Sequence, residues 1–575
     1  MGAFLIIAEN ELADACKQAA LTVMSRAGFT KPQVLTCADK SIYLYDKLVA
    51  PTPNLYEAGN GDFCFSVGTL FFDGSYGVDA SEKLLKTFSP ARIDPTLFDG
   101  SFAAVIARGG KLYIFGDPLG TYRLFHSDDH KVWGTSFLAA ASTLPVLKPN
   151  PQAIYEYVFQ GATYGNDTPF HEVKMANSHA LYEWDKGQTP NRRSRYFNMF
   201  LRPIDGSQDE LVDYCLEALQ NQFQQVVSQF GNNIDTALSG GYDSRLMLAL
   251  LRKAGSQPKI HVYGADNDPD VVVAKTIAKG ENLHLVHKNK AISTPPAPEE
   301  YPALLAKNFF VMDGIPNEGI FDNGLNLETR RERVQGGALA LNGGGGEIYR
   351  DFFHLPDQPL TIHDMIRTFY SQYDPASTTE EFTERLYRER LALKIRQSLD
   401  KGHDQLNRIE AESIYPLFRL RYWMGKNNSL NNRFGPALTP FTRYSVLQTA
   451  MPVPLRFKYY GNFEAAMIRK LDLVLAGYLT DYGYSLSAPA PLGARIAGWM
   501  DIRKPIALRQ HIFAFKNKFR KLQKPFYLNE EYVDGLLDPD CPRMSRFFRL
   551  DKITSAEQFN RLYSLEYLMK YFKTS

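Results

Sequence analysis

Between Ile234 and Leu251 the chain reads IDTALSGGYDSRLMLALL, with a serine, two glycines, an aspartate and a second serine between an apolar strand-like run and a helical period. At such a strand-to-helix turn the backbone N–H groups converge with the positive end of the helix dipole, which suits a polyphosphate. Gly240 and Gly241 carry no Cβ to hold the backbone off phosphate oxygens. Leu238 ends the strand, Ser239 and Ser244 offer hydroxyl donors, and Asp243 is a hard oxygen ligand suited to Mg2+. The competing reading is an ordinary Gly-Gly turn with a serine N-cap; the full octet Leu238 to Arg245 in this setting favours the phosphate cradle. The GxxxxGK[ST] phosphate loop is absent, so the cradle is of another kind.

Two further segments join it. Lys259-Ile260-His261-Val262-Tyr263-Gly264 reads as the next strand, and the backbone of Val262 and Gly264 is placed to hydrogen-bond an adenine at the end of a parallel sheet. Asp268 and Asp270 follow as helix caps or polar site residues. In Ala340-Leu341-Asn342-Gly343-Gly344-Gly345-Gly346-Glu347 an apolar strand runs into four glycines and an acid. That many glycines cost conformational entropy, so a close backbone approach is expected there. Gly343, Gly344 and Gly345 become candidate phosphate-binding residues, and Glu347 a second ligand for the metal beside Asp243.

The elements that must position these loops are legible from spacing. Up to about residue 200, short runs such as GAFLIIA, SIYLYD and FCFSVGTLFF alternate like strands, and Gly109-Gly110 joins two of them as a hairpin. Polar, turn-rich sequence at 186–208 marks a boundary between a domain at 1–200 and one at 201–575. The second domain alternates strands and helices, as a doubly wound parallel sheet does, and becomes helical from about 355.

Composition bounds the rest. The 575 residues are 44 % hydrophobic, and 65 basic side chains nearly cancel 63 acidic ones, so no nucleic-acid coat is indicated. Five scattered cysteines without CxxC spacing suit reduced thiols, and no run approaches the roughly 18 apolar residues that span a bilayer. Met1 to Ala8 reads as a strand rather than a signal peptide, so a cytoplasmic location is expected. The stretch RKPIALRQHIFAFKNKFRKLQK carries eight Lys or Arg and no acid, interleaved with Phe513, Phe515 and Phe519. It reads first as a helix packing one apolar face, and second as a surface for an anionic substrate.

In order and spacing, the three segments resemble the synthetase domain of the asparagine synthetase family, whose SGGxDS loop belongs to the PP-loop, adenine-nucleotide α-hydrolase superfamily. FDGSFAAVIARGGKLYIFGDPLGTYRLFHS is similar to that family's N-terminal amidotransferase domain, LNGGGGEIYR stands where it has SGxGxDE, and PALTPFTRYSVLQTA where it has VPFLD. The resemblance covers nearly the whole chain. It implies an Ntn-hydrolase-like β-sandwich followed by a PP-loop ATP pyrophosphatase domain.

The departures are as informative. Where glutamine-hydrolysing relatives carry a nucleophilic cysteine, this chain has Gly2, and the glutamine-binding NGEIYN has no counterpart in FSVGTLFFDGSYG. The metal-binding aspartate of the second glycine loop is replaced by glycine. In GNFEAAMIRK, Ala465 stands where relatives have a lysine, leaving Lys458, Arg469 and Lys470 as substitutes. Arg469 is grouped with Asp243 and Glu347 as the candidate catalytic set.

The resemblance therefore implies an AMP-forming ligase that uses ATP and Mg2+ to activate a small-molecule, sugar-acid or peptide carboxylate for attack by an amine or ammonia, without a glutaminase. β-Lactam synthetase and lasso peptide cyclase, which are similar in architecture, add an intramolecular cyclase as an alternative. A nucleotide-binding scaffold of reduced catalytic power is a third. A homodimer is left open by the sequence.

Overall fold

The computed structural model describes every residue except 178, 195–201, 293, 519–521 and 575. Among the described residues it is a mixed α/β structure with two large antiparallel sheets, a parallel sheet and a helix-rich remainder that carries one two-stranded antiparallel ribbon, Leu360–Thr361 with Gln405–Leu406.

The alternating apolar runs of the first 200 positions build two antiparallel sheets that face each other. One orders segments 173–175, 125–127, 132–134, 3–7, 40–45 and 33–37; the other orders 191–194, 180–184, 111–116, 98–108, 63–72 and 55–57. Side chains of a strand point alternately to its two faces, so Phe4, Ile6, Ile42 and Leu44 meet Phe65, Val67, Val105 and Ile114 in one shared layer. On the outer faces, Leu5 and Ile7 share a core with Val23 and Met24 of helix Asp14–Arg26, and Phe102, Ala104 and Ile106 pack with Leu84 and Leu85 of helix Val78–Thr87. The layering is helix, sheet, sheet, helix. Gly109 and Gly110 have φ of 58° and 78°, the left-handed region that a tight primed hairpin turn requires.

From Gln208 the period changes. A helix at Gln208–Phe230 starts with a capping box between Ser207 and Glu210. Five parallel strands follow: β1 (Ile234–Ala237), β2 (Lys259–Tyr263), β3 (Leu285–Lys288), β4 (Leu339–Leu341) and β5 (Ala437–Leu438), in the order β3-β2-β1-β4-β5. Helices α1 (Tyr242–Lys253) and α2 (Pro269–Gly280) are the crossovers after β1 and β2. Chain order reverses between β1 and β4, and at such a switch point the loops leaving the carboxyl ends of neighbouring strands diverge to leave a crevice. Both glycine-bearing loops leave these two strands.

Three features add to the expectations. The part after residue 355 is mostly helical but supplies β5, an edge strand held by Ala437 N–H donating to Thr69 Oγ1 (2.9 Å). The basic stretch forms a helix at Ile506–Lys518 in which Ile506 is partly buried against the main core, while Leu508, Ile512 and Phe515 are exposed at 52 %, 39 % and 67 %, so only part of its apolar face is covered. Phe519 and the side chain of Phe513 lie outside the described residues.

The third concerns the boundary at 186–208, part of which also lies outside the described residues. It does not separate two independent cores. One apolar cluster runs from Leu5 and Phe71 through Phe223 and Leu341 to Leu562. Thr69 Oγ1 donates to Asn432 Oδ1 (2.7 Å), Gln222 Nε2 donates to Asp99 (3.0 and 3.1 Å), and the buried Lys47 Nζ donates to the Gly435 carbonyl (3.0 Å). The first domain thus buttresses the edge of the parallel sheet.

All five cysteines are free thiols, three of them buried. No helix among the described residues is long and apolar enough to cross a membrane.

Candidate functional site

The loop after β1 is shaped by its own hydroxyls. Ser239 N–H donates to Ser244 Oγ (3.0 Å), the two serine hydroxyls are 2.9 Å apart, and Gly241 N–H reaches Ser239 Oγ at 3.4 Å. Leu238 is buried among Val262, Leu248 and Val271, and its N–H donates to the His261 carbonyl (3.0 Å), so it anchors the loop to β2. Gly240 N–H donates to the carboxylate of Asp270 (2.7 Å), the residue that the sequence left between cap and site.

Gly240 is also where the loop is covered. A Cβ there would lie 2.6 Å from Asp481 Cβ and 3.0 Å from the Asp481 backbone nitrogen, whereas a Cβ on Gly241 would meet nothing closer than 3.7 Å. Gly240→Ala is therefore expected to destabilise by about 1–3 kcal/mol through overpacking, and Gly241→Ala to stay within about 0.5 kcal/mol. Equal melting temperatures for the two variants would contradict this difference.

The four glycines at 343–346 have mostly internal reasons. A Cβ on Gly344 would strike the Met424 methyl, Gly345 has φ of 102° against Phe441, and a Cβ on Gly346 would lie 2.5 Å from Asp243 Oδ1. The approach expected there is made by the protein itself: Gly346 is bare because Asp243, the first-turn acid of α1, comes up against it. Gly343 is in ordinary contact with Met247 and Asp243.

Asp243 and Glu347 are brought to one cation, Arg350. Its Nη2 is 2.7 Å from Asp243 Oδ1 and 4.0 Å from Glu347 Oε1, while its Nε is 3.0 Å from Glu464 Oε2, off the line of a hydrogen bond. Tyr415 Oη donates to Glu347 Oε2 (2.5 Å), which also accepts from Gly345 N–H (3.1 Å). Burial, aided by Glu347 and opposed by Arg350, raises the Asp243 carboxyl to about 6. Burial and the neighbouring Asp243 hold the fully buried Glu464 protonated well above the usual carboxylate range. Burial works against the charge on Arg350, but Asp243, Glu464 and Glu347 outweigh it and raise its pKa.

Sequence reasoning missed Arg350, Glu464 and Tyr415. The spacing of Glu347 and Arg350, one turn apart in GEIYR, was a usable signal for the first; the other two come from distant segments with no local mark. Arg469 is placed differently: its Nη1 donates to the Leu486 carbonyl (2.8 Å), and Arg350 is the guanidinium at the carboxylates. Lys458 is buried, its pKa pushed down to about 8 by burial, with Nζ donating to the Ala450 carbonyl (2.8 Å). Lys470 pairs with Asp213 (2.5 Å). On β2, Val262 is buried. Gly264 N–H donates to the Lys288 carbonyl (3.3 Å) and its own carbonyl meets His287 Nε2 (2.9 Å), so Gly264 already carries partners within the sheet.

Among the described residues no group of three or more His, Cys, Asp or Glu side chains could hold a metal by itself. Asp243 and Glu347 fit the other mode of Mg2+ binding, in which one or two carboxylates are completed by phosphate oxygens and water.

At position 2 there is no space for a nucleophile. A Cβ on Gly2 would lie 2.8 Å from Lys47 Cα and 2.9 Å from the Asp46 carbonyl, and Gly2 N–H donates to the Tyr45 carbonyl (2.8 Å).

No family model matches the chain, and no curated protein matches it. Several solved structures are distantly similar, among them two that are each 11 % identical. An allosteric regulatory enzyme of purine biosynthesis aligns with 52 % of this chain and 82 % of its own, at a TM-score of 0.23. The glutamine phosphoribosylpyrophosphate amidotransferase from B. subtilis, complexed with ADP and GMP, aligns with 50 % of this chain and 65 % of its own, at a TM-score of 0.21. At these scores neither likeness carries an argument about this chain.

Proposed function

We propose that the chain is an AMP-forming ligase of the asparagine synthetase-like, PP-loop kind. It would adenylate a substrate carboxylate and pass the acyl group to an amine or ammonia. The observation that carries this reading is the meeting of Asp243, from the loop after β1, with Gly346 and Glu347, from the loop after β4, at the switch point of the sheet.

In this reading the amides and hydroxyls of the Ser239–Ser244 loop hold the β- and γ-phosphates, with Gly240 N–H exchanging Asp270 for phosphate oxygen. Mg2+ bound by Asp243 and Glu347 would supply charge neutralisation on the departing pyrophosphate. The substrate carboxylate oxygen forms a bond to the α-phosphorus as the bond to the bridging oxygen breaks. An amine nitrogen then attacks the acyl carbon, AMP leaves, and the amine proton passes to a base. Arg350, between the two loops, orients Asp243 and Glu347 and offsets their mutual repulsion.

Incubation with ATP, Mg2+ and a panel of carboxylates tests the reading: AMP and pyrophosphate are expected, and release of ADP instead would refute it. A second reading, a nucleotide-binding scaffold, is favoured by Arg350 lying where a metal would approach the carboxylates; Mg2+-dependent ATP binding with no turnover on any acid would select it.

The helix-sheet-sheet-helix layering built by the strands and helices between Ala3 and Ser194 supports reading this part as an Ntn-type domain in a supporting role. Gly2→Cys is expected to yield no glutamate from glutamine and to lower stability by about 1–3 kcal/mol, because the new side chain is forced against backbone. Steady glutamate release by this variant would defeat the prediction.

A further inference from the structure

A polar cavity of about 290 Å3 lies where the first part of the chain meets the helices after residue 355. Its charged walls are Arg192 and His179 from the first part and Lys394, Asp400 and Arg421 from the second, and none of its lining belongs to the glycine-bearing loops after β1 and β4. Lys394 is already satisfied. Its Nζ donates to both carboxylate oxygens of Glu156 (2.7 and 2.9 Å) and pairs with Asp167 (2.7 Å), so two carboxylates share one ammonium and leave it no charge for a ligand.

Arg421 is in the opposite state. It is only 6 % exposed, stacks over the ring of its neighbour Tyr422 at 4.9 Å, and has no hydrogen bond or ion pair among the described residues. A guanidinium so far removed from water and left without an acceptor is costly as it stands.

Two further guanidiniums come to the same place. Tyr182 is the cross-strand partner of Arg192 in the antiparallel pair Ala180–Trp184 and Asn191–Ser194, so their side chains share one face of the sheet. A narrower recess that shares Asn177, Arg421 and Tyr422 with the cavity is lined by Tyr182 and Arg123 as well. The Tyr182 hydroxyl accepts from Asn177 N–H (2.9 Å). Burial raises its pKa, while that bond and the charges of Arg192 and Arg421 oppose the rise, so both guanidiniums act on one oxygen. Arg123 Nη2 donates to the Tyr422 carbonyl and its Nε is buried without a partner; burial, countered by Tyr422 and reinforced by Arg421, lowers its pKa to about 10.

Three like charges thus stand round Tyr182 and Asn177, and Asp400, the one carboxylate on the cavity wall, pairs with none of them among the described residues. Their mutual repulsion is strongest where water is excluded, and an anion would relieve it while supplying the acceptor that Arg421 lacks. The planar fork of a guanidinium matches a carboxylate or a phosphate. The volume, just under the roughly 300–1,000 Å3 of drug-sized ligand pockets, suits a small metabolite.

We propose that this cavity is a binding site for a small phosphate- or carboxylate-bearing metabolite, whose anionic group seats on Arg421 with Arg192 as the second cation at the rim. The site is separate from the glycine-bearing loops, so the proposal does not depend on the ligase reading.

The test is isothermal titration of the full chain at constant ionic strength, without ATP, with inorganic phosphate and with succinate. At least one should bind saturably, and the tighter of the two tells phosphate from carboxylate. Arg421→Gln should weaken that anion by about tenfold or more, the loss expected for charged hydrogen bonds, and Arg192→Gln by about threefold to tenfold. Arg192 is exposed, so its replacement leaves the fold intact and decides the matter alone if Arg421→Gln does not fold. Binding of neither anion overturns the proposal. So does binding that the variants leave unchanged, which would place the anion elsewhere, as at the Ser239–Ser244 loop.

Discussion

Asp243→Asn is expected to lower AMP formation by about 10²-fold or more while the fold survives. Asn keeps the size of the side chain but removes the anion that would draw in Mg2+, and metal-assisted displacement loses several kcal/mol of charge stabilisation without it. The fold should tolerate the change, because burial already holds the Asp243 carboxyl at about 6 and the neutral form is close in free energy at neutral pH. Activity should be read as pyrophosphate release, and stability by thermal melting of the same samples. Unchanged turnover would remove Asp243 from the mechanism.

Arg350→Met is expected to have the largest effect on stability, a loss of about 3–5 kcal/mol at pH 7.5, because it strips the shared cation from the partly buried Asp243 and the fully buried Glu464. The pH dependence has a definite sign. Both carboxyls have folded pKa values raised above the unfolded range, so the native state binds more protons than the unfolded one, and the cost of ionising them grows as pH rises from about 4 through about 6. In the wild type Arg350 offsets part of that cost. In the variant nothing does, so the deficit should be greatest at pH 7.5 and shrink towards pH 5 as the acids protonate. Denaturant unfolding of both proteins at the two pH values measures it, and a deficit that is constant or larger at pH 5 would show that Arg350 matters for packing rather than charge.

These two residues were not equally visible from the sequence. Asp243 stands in SGGYDS, directly after an apolar strand and at the start of an amphipathic helix, and a strand-loop-helix pattern is a statement about local backbone that residues nearby must satisfy. The same locality made β1 to β4 readable, together with the Gly109-Gly110 hairpin and the opening of the helix at Gln208. Gly2 and the missing glutamine segment were equally plain, since absence of a side chain needs no folding to be seen. The four glycines read as a close approach by phosphate, whereas the approaches the structure shows there are those of Met424, Phe441 and Asp243.

What the tertiary structure alone decided are the encounters between segments far apart in the chain. Glu464 reaches Arg350 from the helix at Asn462–Leu471, Tyr415 reaches Glu347 from another helical segment, and Asp481 lies on Gly240. Local propensity and periodicity encode which backbone forms and which face is buried. They do not encode which buried faces meet, and that meeting sets the desolvation and charge pairing that give Asp243 and Glu464 their chemistry.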